Sequence, residues 1–292
     1  MSTQDSLNLG SDLTVRRLGL GTMSLTGPGV WGEPADPEGA RRLLRRALEL
    51  GVDFLDTADS YGPDVSERLI AEALHPYADG LVIATKGGFR RRGPHHWYPD
   101  CRPEHLRAAC EDSLRRLRLE RIDLYQLHTV DPDVPIEESV GALADLMAEG
   151  KVRHVGVCNV DLEQLARACA VAPVVSVQNR FSLVDRAHEP VLEECGRVGL
   201  AFVAWAPLAK GFLARVQAEV ALAWLLQHSP MLLPIPGTAS VEHLEQNVGA
   251  LELELDAGQV EAFDRYRSLG FEARRLARRA RVHAGRLKRR LG

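Results

Sequence analysis

The chain has no pair of cysteines spaced C-x-x-C, and its five cysteines (Cys101, Cys110, Cys158, Cys169, Cys195) are odd in number. That excludes a disulfide scaffold or a structural zinc site as the organising principle. Long apolar runs are missing as well: the longest, Val220 to Leu226, is far too short to span a bilayer. The opening MSTQDSLNLGSD carries neither a basic nor an apolar stretch, so no secretory signal is expected there. The net charge is only −4 over 292 residues, which gives no global reason to expect a nucleic acid or membrane partner. What these absences leave as the default is a reduced, cytoplasmic protein, with monomer and homo-oligomer both open. With 45% hydrophobic residues, the chain can bury a sizeable core.

Charge of one sign is scarce only locally. From Glu272 onward there are nine Lys/Arg and one acid, leaving 27 basic against 39 acidic residues in 1–271. An acidic body therefore carries a basic tail, "ARRLARRARVHAGRLKRR", read as a solvated helix docking on that body, with an oligomer contact or an anionic partner as the alternative.

What is present is a rhythm. Leu7 and Leu9, then Leu13 and Val15, alternate with polar residues about Gly10-Ser11, as in a hairpin with a two-residue turn. Short apolar runs follow at 18–23, 52–55, 81–84, 122–127, 152–157, 174–177, 200–204 and 232–235. Between them, apolar residues take helical spacing, as in Leu43, Leu44, Ala47 and Leu48. Eight strands alternating with helices imply parallel strands buried on both faces. A doubly wound dinucleotide-binding sheet should open with G-x-G-x-x-G, but Gly19-Leu-Gly21 continues Thr22-Met-Ser24 and lacks the third glycine. The expectation is an α/β protein: a (β/α)8 TIM barrel over 1–271 with an N-terminal β-hairpin, and a basic, helical tail over 272–292.

In such barrels the chemistry stands at the carboxyl ends of the strands. The residues there are Asp56, Lys86, His128, Asn159, Gln178, Trp205 and Pro236-Gly237. A carboxylate, an amine, an imidazole and the nearby phenol of Tyr61 can converge on one pocket. A lysine ammonium beside a tyrosine favours the phenolate and lowers its pKa, while Asp56 would keep Lys86 charged and in place. His128 would then hydrogen-bond a substrate oxygen or share its proton. That set suits protonation of an oxygen on which negative charge is building, as in hydride addition to a carbonyl. No side chain donates hydride, so a nicotinamide or flavin must.

Asp56 and Tyr61 in "GVDFLDTADSYG", Lys86 in "VIATKGG" and His128 in "IDLYQLH" resemble the catalytic tetrad of the aldo-keto reductases. "LGLGTM", "GKVRHVGVCN", "VVSVQNRFSL", "AWAPLAKGFL" and "PIPGT" follow in family order, from about Leu13 to Arg267, with a likeness to bacterial pyridoxal reductase-type members. The resemblance implies NAD(P)H-dependent reduction of an aldehyde or ketone, with Tyr61 as general acid and His128 orienting the carbonyl. It also implies that Cys158, Asn159 and Gln178 hold the carboxamide and that Trp205 stacks on the nicotinamide. Pro207, Leu208, Lys210 and Gly211 would lie along the pyrophosphate. Gly237, Thr238, His243, Gln246 and Asn247 would surround the adenosine end. Trp31 and Trp97, in loops after the first and third strands, are the substrate candidates, with Val30, Phe89, Tyr98 and Phe181 as lesser ones.

Three departures from the family pattern stand out. Cys158 replaces a serine. Gly237 and His243 occupy positions where a lysine and an arginine often grip the 2′-phosphate, so NADPH is expected but NADH is a live alternative. The chain also passes from "AWAPLAKGFL" almost directly into the seventh helix, without the family's extra helical stretch, which predicts weaker cofactor binding and faster release. Two rivals are a nucleotide-sensing regulatory relative with little turnover, and a metal-dependent hydrolase built on Asp56, Asp59 and His128. No metal site is expected, since His95-His96 lacks partners at ligand spacing. Asp59 and Ser60 read as a solvated spacer within the loop.

Overall fold

The computed structural model describes residues 6–209, 214–261 and 263. Lys210, Gly211 and the 272–292 tail lie outside the described residues. Two antiparallel strands, β1 (Ser6–Leu9) and β2 (Leu13–Arg16), form the N-terminal hairpin. Leu9 pairs with Leu13, so the turn holds three residues rather than two. Gly10 enters it at φ 69°, and a Cβ there would meet the His154 ring at 2.7 Å.

Eight parallel strands follow: β3 (Leu20–Gly21), β4 (Phe54–Asp56), β5 (Val82–Gly87), β8 (Ile122–Leu127), β9 (Val152–Cys158), β10 (Val174–Arg180), β11 (Ala201–Trp205) and β12 (Leu232–Pro234). Each pairs with the next in chain order, giving the sheet order β12-β11-β10-β9-β8-β5-β4-β3. The ring closes between its ends: Gly19 N donates to Pro234 O at 3.0 Å, Gly21 N donates to Pro236 O at 3.3 Å, and Gly21 bridges Gly237. The fold is a (β/α)8 barrel.

Among the described residues, eight helices alternate with these strands: α1 (Pro37–Glu49), α2 (Val65–Leu74), α3 (Pro103–Leu117), α4 (Ile136–Ala148), α5 (Leu162–Val171), α6 (Glu189–Val198), α7 (Ala214–His228) and α8 (Val241–Gly249). Side-chain caps begin α1, α5 and α8. Asp36 accepts from Gly39 N ahead of Pro37, and Asp161 and Gln164 form a reciprocal capping box. The barrel's lower end is sealed by Leu7, Leu9, Leu13 and Val15 of the hairpin. They pack on Phe54, Val82, Leu124, Val203 and Leu233 inside it.

One element has no counterpart in the apolar pattern. The segment after β5, read as a Gly/Pro-rich loop, folds into a second antiparallel hairpin, β6 (Phe89–Gly93) with β7 (His96–Pro99), standing over the barrel mouth. Its two faces differ, as strand alternation requires. Phe89 and Arg91 each contact Trp97 on the inner side. Arg90, Arg92 and Tyr98 line an outer groove with Asp131, Asp133 and Glu138.

Candidate active site

Asp56 ends β4, Lys86 lies in β5, and His128 follows β8; these three strands are neighbours, so the side chains converge at the upper end. Lys86 Nζ donates to Asp56 Oδ2 at 2.6 Å and to Thr57 O at 2.8 Å, with both charged groups almost fully buried. Burial works against the ammonium, but the charge of Asp56 and its hydrogen bond outweigh it, so Lys86 stays protonated with its pKa raised. The other carboxylate oxygen, Asp56 Oδ1, accepts from Gln178 Nε2 at 2.7 Å and from Gln126 Nε2 at 3.4 Å. The ion pair is thus hydrogen-bonded at both ends, the condition under which a buried pair is tolerated.

Tyr61 sits on the loop after β4, with Lys86 Nζ 5.2 Å from the centre of its ring. Here the electrostatics depart from expectation. Burial raises the phenol pKa more than the Lys86 charge lowers it, leaving it at about 12. His128 is pushed the other way: burial first, then the Lys86 charge, depress it well below the ordinary imidazole value. Near neutrality the site therefore holds a neutral phenol, a neutral imidazole and one buried ion pair. The Tyr61 and His128 rings meet edge-on with centroids 5.8 Å apart. Trp97 closes the third side, 6.2 Å from Tyr61 and 6.3 Å from His128, and Phe89 lies 4.9 Å from His128.

The remaining candidates fall at various distances from this centre. Asn159, at φ 58°, donates Nδ2 to His128 O at 3.0 Å and accepts from Trp205 Nε1 at 3.0 Å, so both ends of its amide are engaged. Gln178 donates inward to Asp56, leaving Oε1 as the end with acceptor capacity. The Cys158 thiol is buried against Gln126 Oε1 at 3.7 Å, and burial raises its pKa, so it is held as a thiol rather than a nucleophile. Pro207 is buried, and Leu208 packs on the main core. Gly237 lies at the barrel seam, and Thr238 Oγ1 accepts from Ser240 N, which begins the cap of α8. His243 and Gln246 are exposed on α8, whereas Asn247 is buried.

Several readings need correcting. Phe181 is fully buried in the barrel wall, against Phe202 and stacked on His228, and does not face the mouth. Tyr98 lines the outer groove under Arg92, on the hairpin face opposite Trp97. Trp31 is 37% exposed; its backbone bridges Gly62, next to Tyr61, and its ring centre lies 5.6 Å from the Arg91 guanidinium. Asp59 and Ser60 are not a solvated spacer. Asp59 Oδ1 is buried without a hydrogen-bond partner, and burial, then the nearby Glu67 charge, raise its pKa to about 8. Ser60 Oγ lies 3.5 Å from His128 Nδ1. Sequence reasoning also missed Gln126 and Arg91. Gln126 carried a signal: it stands two residues before His128 in a buried strand and so shares its face. Among the described residues, no group of three or more His, Cys, Asp or Glu is placed to hold a metal ion.

With this geometry in view, the comparisons are unambiguous about kinship. The model of the aldo/keto reductase family matches residues 17–218 and 215–267. The chain belongs to the aldo/keto reductase family. An uncharacterized oxidoreductase of Schizosaccharomyces pombe is 47% identical over 260 residues, covering 84% of this chain and 85% of that protein. Pyridoxine 4-dehydrogenase of Escherichia coli is 40% identical over 271 residues, covering 86% and 94%. The structure of an aldo/keto reductase from Klebsiella pneumoniae, in complex with NADP and acetate, superposes with a TM-score of 0.77 at 30% identity, over 90% of this chain and 95% of that one. The protein is an oxidoreductase of this family, and the expected likeness to its pyridoxal reductase-type members agrees with the Escherichia coli relative. The two stretches of the family match meet at 215–218, at the start of α7. There the sequence passes from β11 to α7 with only eight intervening residues.

Proposed function

We propose that this aldo/keto reductase reduces an aldehyde or ketone to the alcohol using NADPH, with NADH as the alternative electron source. The observation that carries the reading is the buried Lys86–Asp56 pair, held by Gln178 and Gln126, beside a protonated Tyr61 and a neutral His128. When bound, the cofactor would supply a hydride for the carbonyl carbon. Tyr61 supplies the proton, to the carbonyl oxygen, as negative charge builds there. Lys86 opposes the charge left on the phenolate, and Asp56 keeps the ammonium charged and fixed. His128, being neutral, orients the carbonyl oxygen by hydrogen bonding without competing as an acid.

The residues present fit a nicotinamide dinucleotide. The indole of Trp205 stands at the end of β11, the Asn159 and Gln178 amides at the ends of β9 and within β10, and the N-terminus of α8 follows β12. These lie on successive strands, so an extended ligand running from Tyr61 toward α8 meets them in order. At α8 the first-turn amides offer donors to a phosphate. Ser240 already uses the His243 N–H, and Glu242 adds a carboxylate in the same turn. That turn is therefore weakly suited to a 2′-phosphate, which is why NADH stays in the reading. The likeness to pyridoxine 4-dehydrogenase makes pyridoxal a substrate to include beside small aromatic aldehydes.

The test is a panel of aldehydes and ketones with each cofactor, followed by loss of reduced-nicotinamide absorbance. Tyr61→Phe should lower kcat by about 10²–10⁴-fold with cofactor affinity nearly unchanged. Retained turnover in that variant would sink the assignment. Cofactor binding with no turnover of any substrate would favour the nucleotide-sensing alternative.

A further inference from the structure

Arg91 is the most heavily bonded side chain at the barrel mouth that the reaction does not use. Its Nη1 donates to Val30 O at 2.6 Å and Ser60 O at 2.8 Å, and its Nη2 to Gly29 O at 2.9 Å and Gly93 O at 3.3 Å. These carbonyls belong to the loop after β3, the loop after β4 and the tip of the β6–β7 hairpin. The guanidinium also covers the Trp97 ring at 3.7 Å, its cross-strand partner in the hairpin register. A planar fork with five N–H groups can make this set of contacts; a lysine cannot.

Two features set this arrangement apart from ordinary loop packing. Val30 is β-branched, yet it sits at φ 56°, between Gly29 at φ 72° and Gly32 at φ 68°. Such a conformation costs on the order of 1–3 kcal/mol and persists only where its surroundings over-determine it. Arg91 does this by holding the Gly29 and Val30 carbonyls together. Second, the Ser60 carbonyl belongs to the peptide whose nitrogen is that of Tyr61. One side chain thus grips the backbone entering the proton donor and the face of the indole that packs edge-on to Tyr61 and His128.

We propose that Arg91 is a positioning residue of the substrate pocket: it locks the loops after β3 and β4 to the β6–β7 hairpin, setting the gap between the Trp97 edge and the Tyr61–His128 pair and thereby the preference for carbonyl compounds bearing a planar ring. The selectivity part rests on the reductase reading above; the positioning part does not. Arg91 touches no reacting atom in this account. Its loss should therefore be felt where a substrate leans on Trp97, not in proton transfer.

Arg91→Lys keeps the charge but loses the fork. With benzaldehyde and propanal as probes, the ratio of their kcat/KM values should fall about tenfold, chiefly through a higher KM for benzaldehyde, while cofactor Kd moves by less than about twofold. Equal losses for both aldehydes, or none, would overturn the proposal. A readout independent of turnover is fluorine NMR of 5-fluorotryptophan-labelled protein, with the Trp97 line assigned by Trp97→Phe. Arg91→Lys should shift or broaden the Trp97 line and leave that of Trp224, buried in the core, in place; an unmoved Trp97 line refutes the clamp. If no carbonyl compound is turned over, the reductase reading fails, and the fluorine spectrum still decides the positioning role. If Arg91→Lys does not fold, Trp97→Leu, which retains the four carbonyl bonds, should give the same fall in the aldehyde ratio, and an unchanged ratio overturns the proposal.

Discussion

Two antiparallel hairpins stand at opposite ends of one barrel, and each is tied down by an arginine donating to backbone carbonyls. Below, Arg16 of β2 donates Nη1 to Leu50 O and Gly51 O, and the turn residue Asp12 pairs with Arg153 and His154. Above, Arg91 of β6 binds four carbonyls. The likeness ends at the side chains they present. The lower hairpin sends four aliphatic residues into the barrel as a plug. The upper one sends Phe89, Arg91 and Trp97 toward a site that must stay open to ligands. One end is organised by area removed from water, the other by hydrogen bonds and ring geometry that leave room. The lower end can therefore carry stability that the upper end, with its buried charges, cannot.

The contrast breaks most visibly at Lys86. Lys86→Met leaves Asp56 buried with amide partners but no cation. It should cost roughly 3–5 kcal/mol in urea unfolding and lower kcat by about 10²-fold or more. Leu9→Ala at the plug, where Leu9 is wholly buried, should cost about 2–4 kcal/mol in the same measurement. Below its melting temperature, kcat should be unchanged; a large fall in kcat would show that the two ends are coupled.

Smaller effects sharpen the contrast. The short passage from β11 to α7 should leave the cofactor weakly held, so fluorescence titration should show fast exchange; tight, slow-release binding would contradict this. Asp59 tests whether the upper end trades stability for its arrangement. Its folded value is about 8 against an ordinary 3.8, so the folded state keeps a proton that the unfolded chain has lost. Stability should fall as pH rises through that window, and Asp59→Asn should recover about 1 kcal/mol near pH 8 and nothing near pH 4. Last, with Tyr61 protonated up to about 12 and His128 neutral, reduction by Asp59→Asn, which removes the neighbouring group that ionises at about 8, should show no ionisation between about pH 7 and 9. A limb centred in that range would mean that one of the two titrates there.

Much of this was legible in sequence, for a physical reason. A strand buried on both faces is mostly apolar, so Ile122–Leu127 appears with its observed ends although Asp123 and Gln126 interrupt the run. β3 is shorter than its apolar run because Thr22 turns away, donating its N–H to Asp56 O, and Met23–Leu25 form a 3-10 turn. The β6–β7 hairpin was not legible, because β6 carries three consecutive arginines and β7 two adjacent aromatics, so neither alternates apolar with polar residues. Arg91 was invisible for a deeper reason: its acceptors are backbone carbonyls, which every residue has. The electrostatic surroundings of Asp59 were hidden likewise, since the Glu67 and Arg116 charges arrive from α2 and α3.

The barrel seam has a consequence for how the chain comes to be folded. Arg17 Nη2 reaches the carbonyls of Leu226 and Ser229, and Gly19 and Gly21 bond to Pro234 and Pro236. These contacts span more than 200 residues, so the entropy of closing so long a loop must be met before they form. During synthesis the first barrel strand has no partner on its outer edge until the eighth leaves the ribosome. Until then the growing sheet exposes two edges, and the two-residue length of β3 keeps one of them too short to template pairing with another chain.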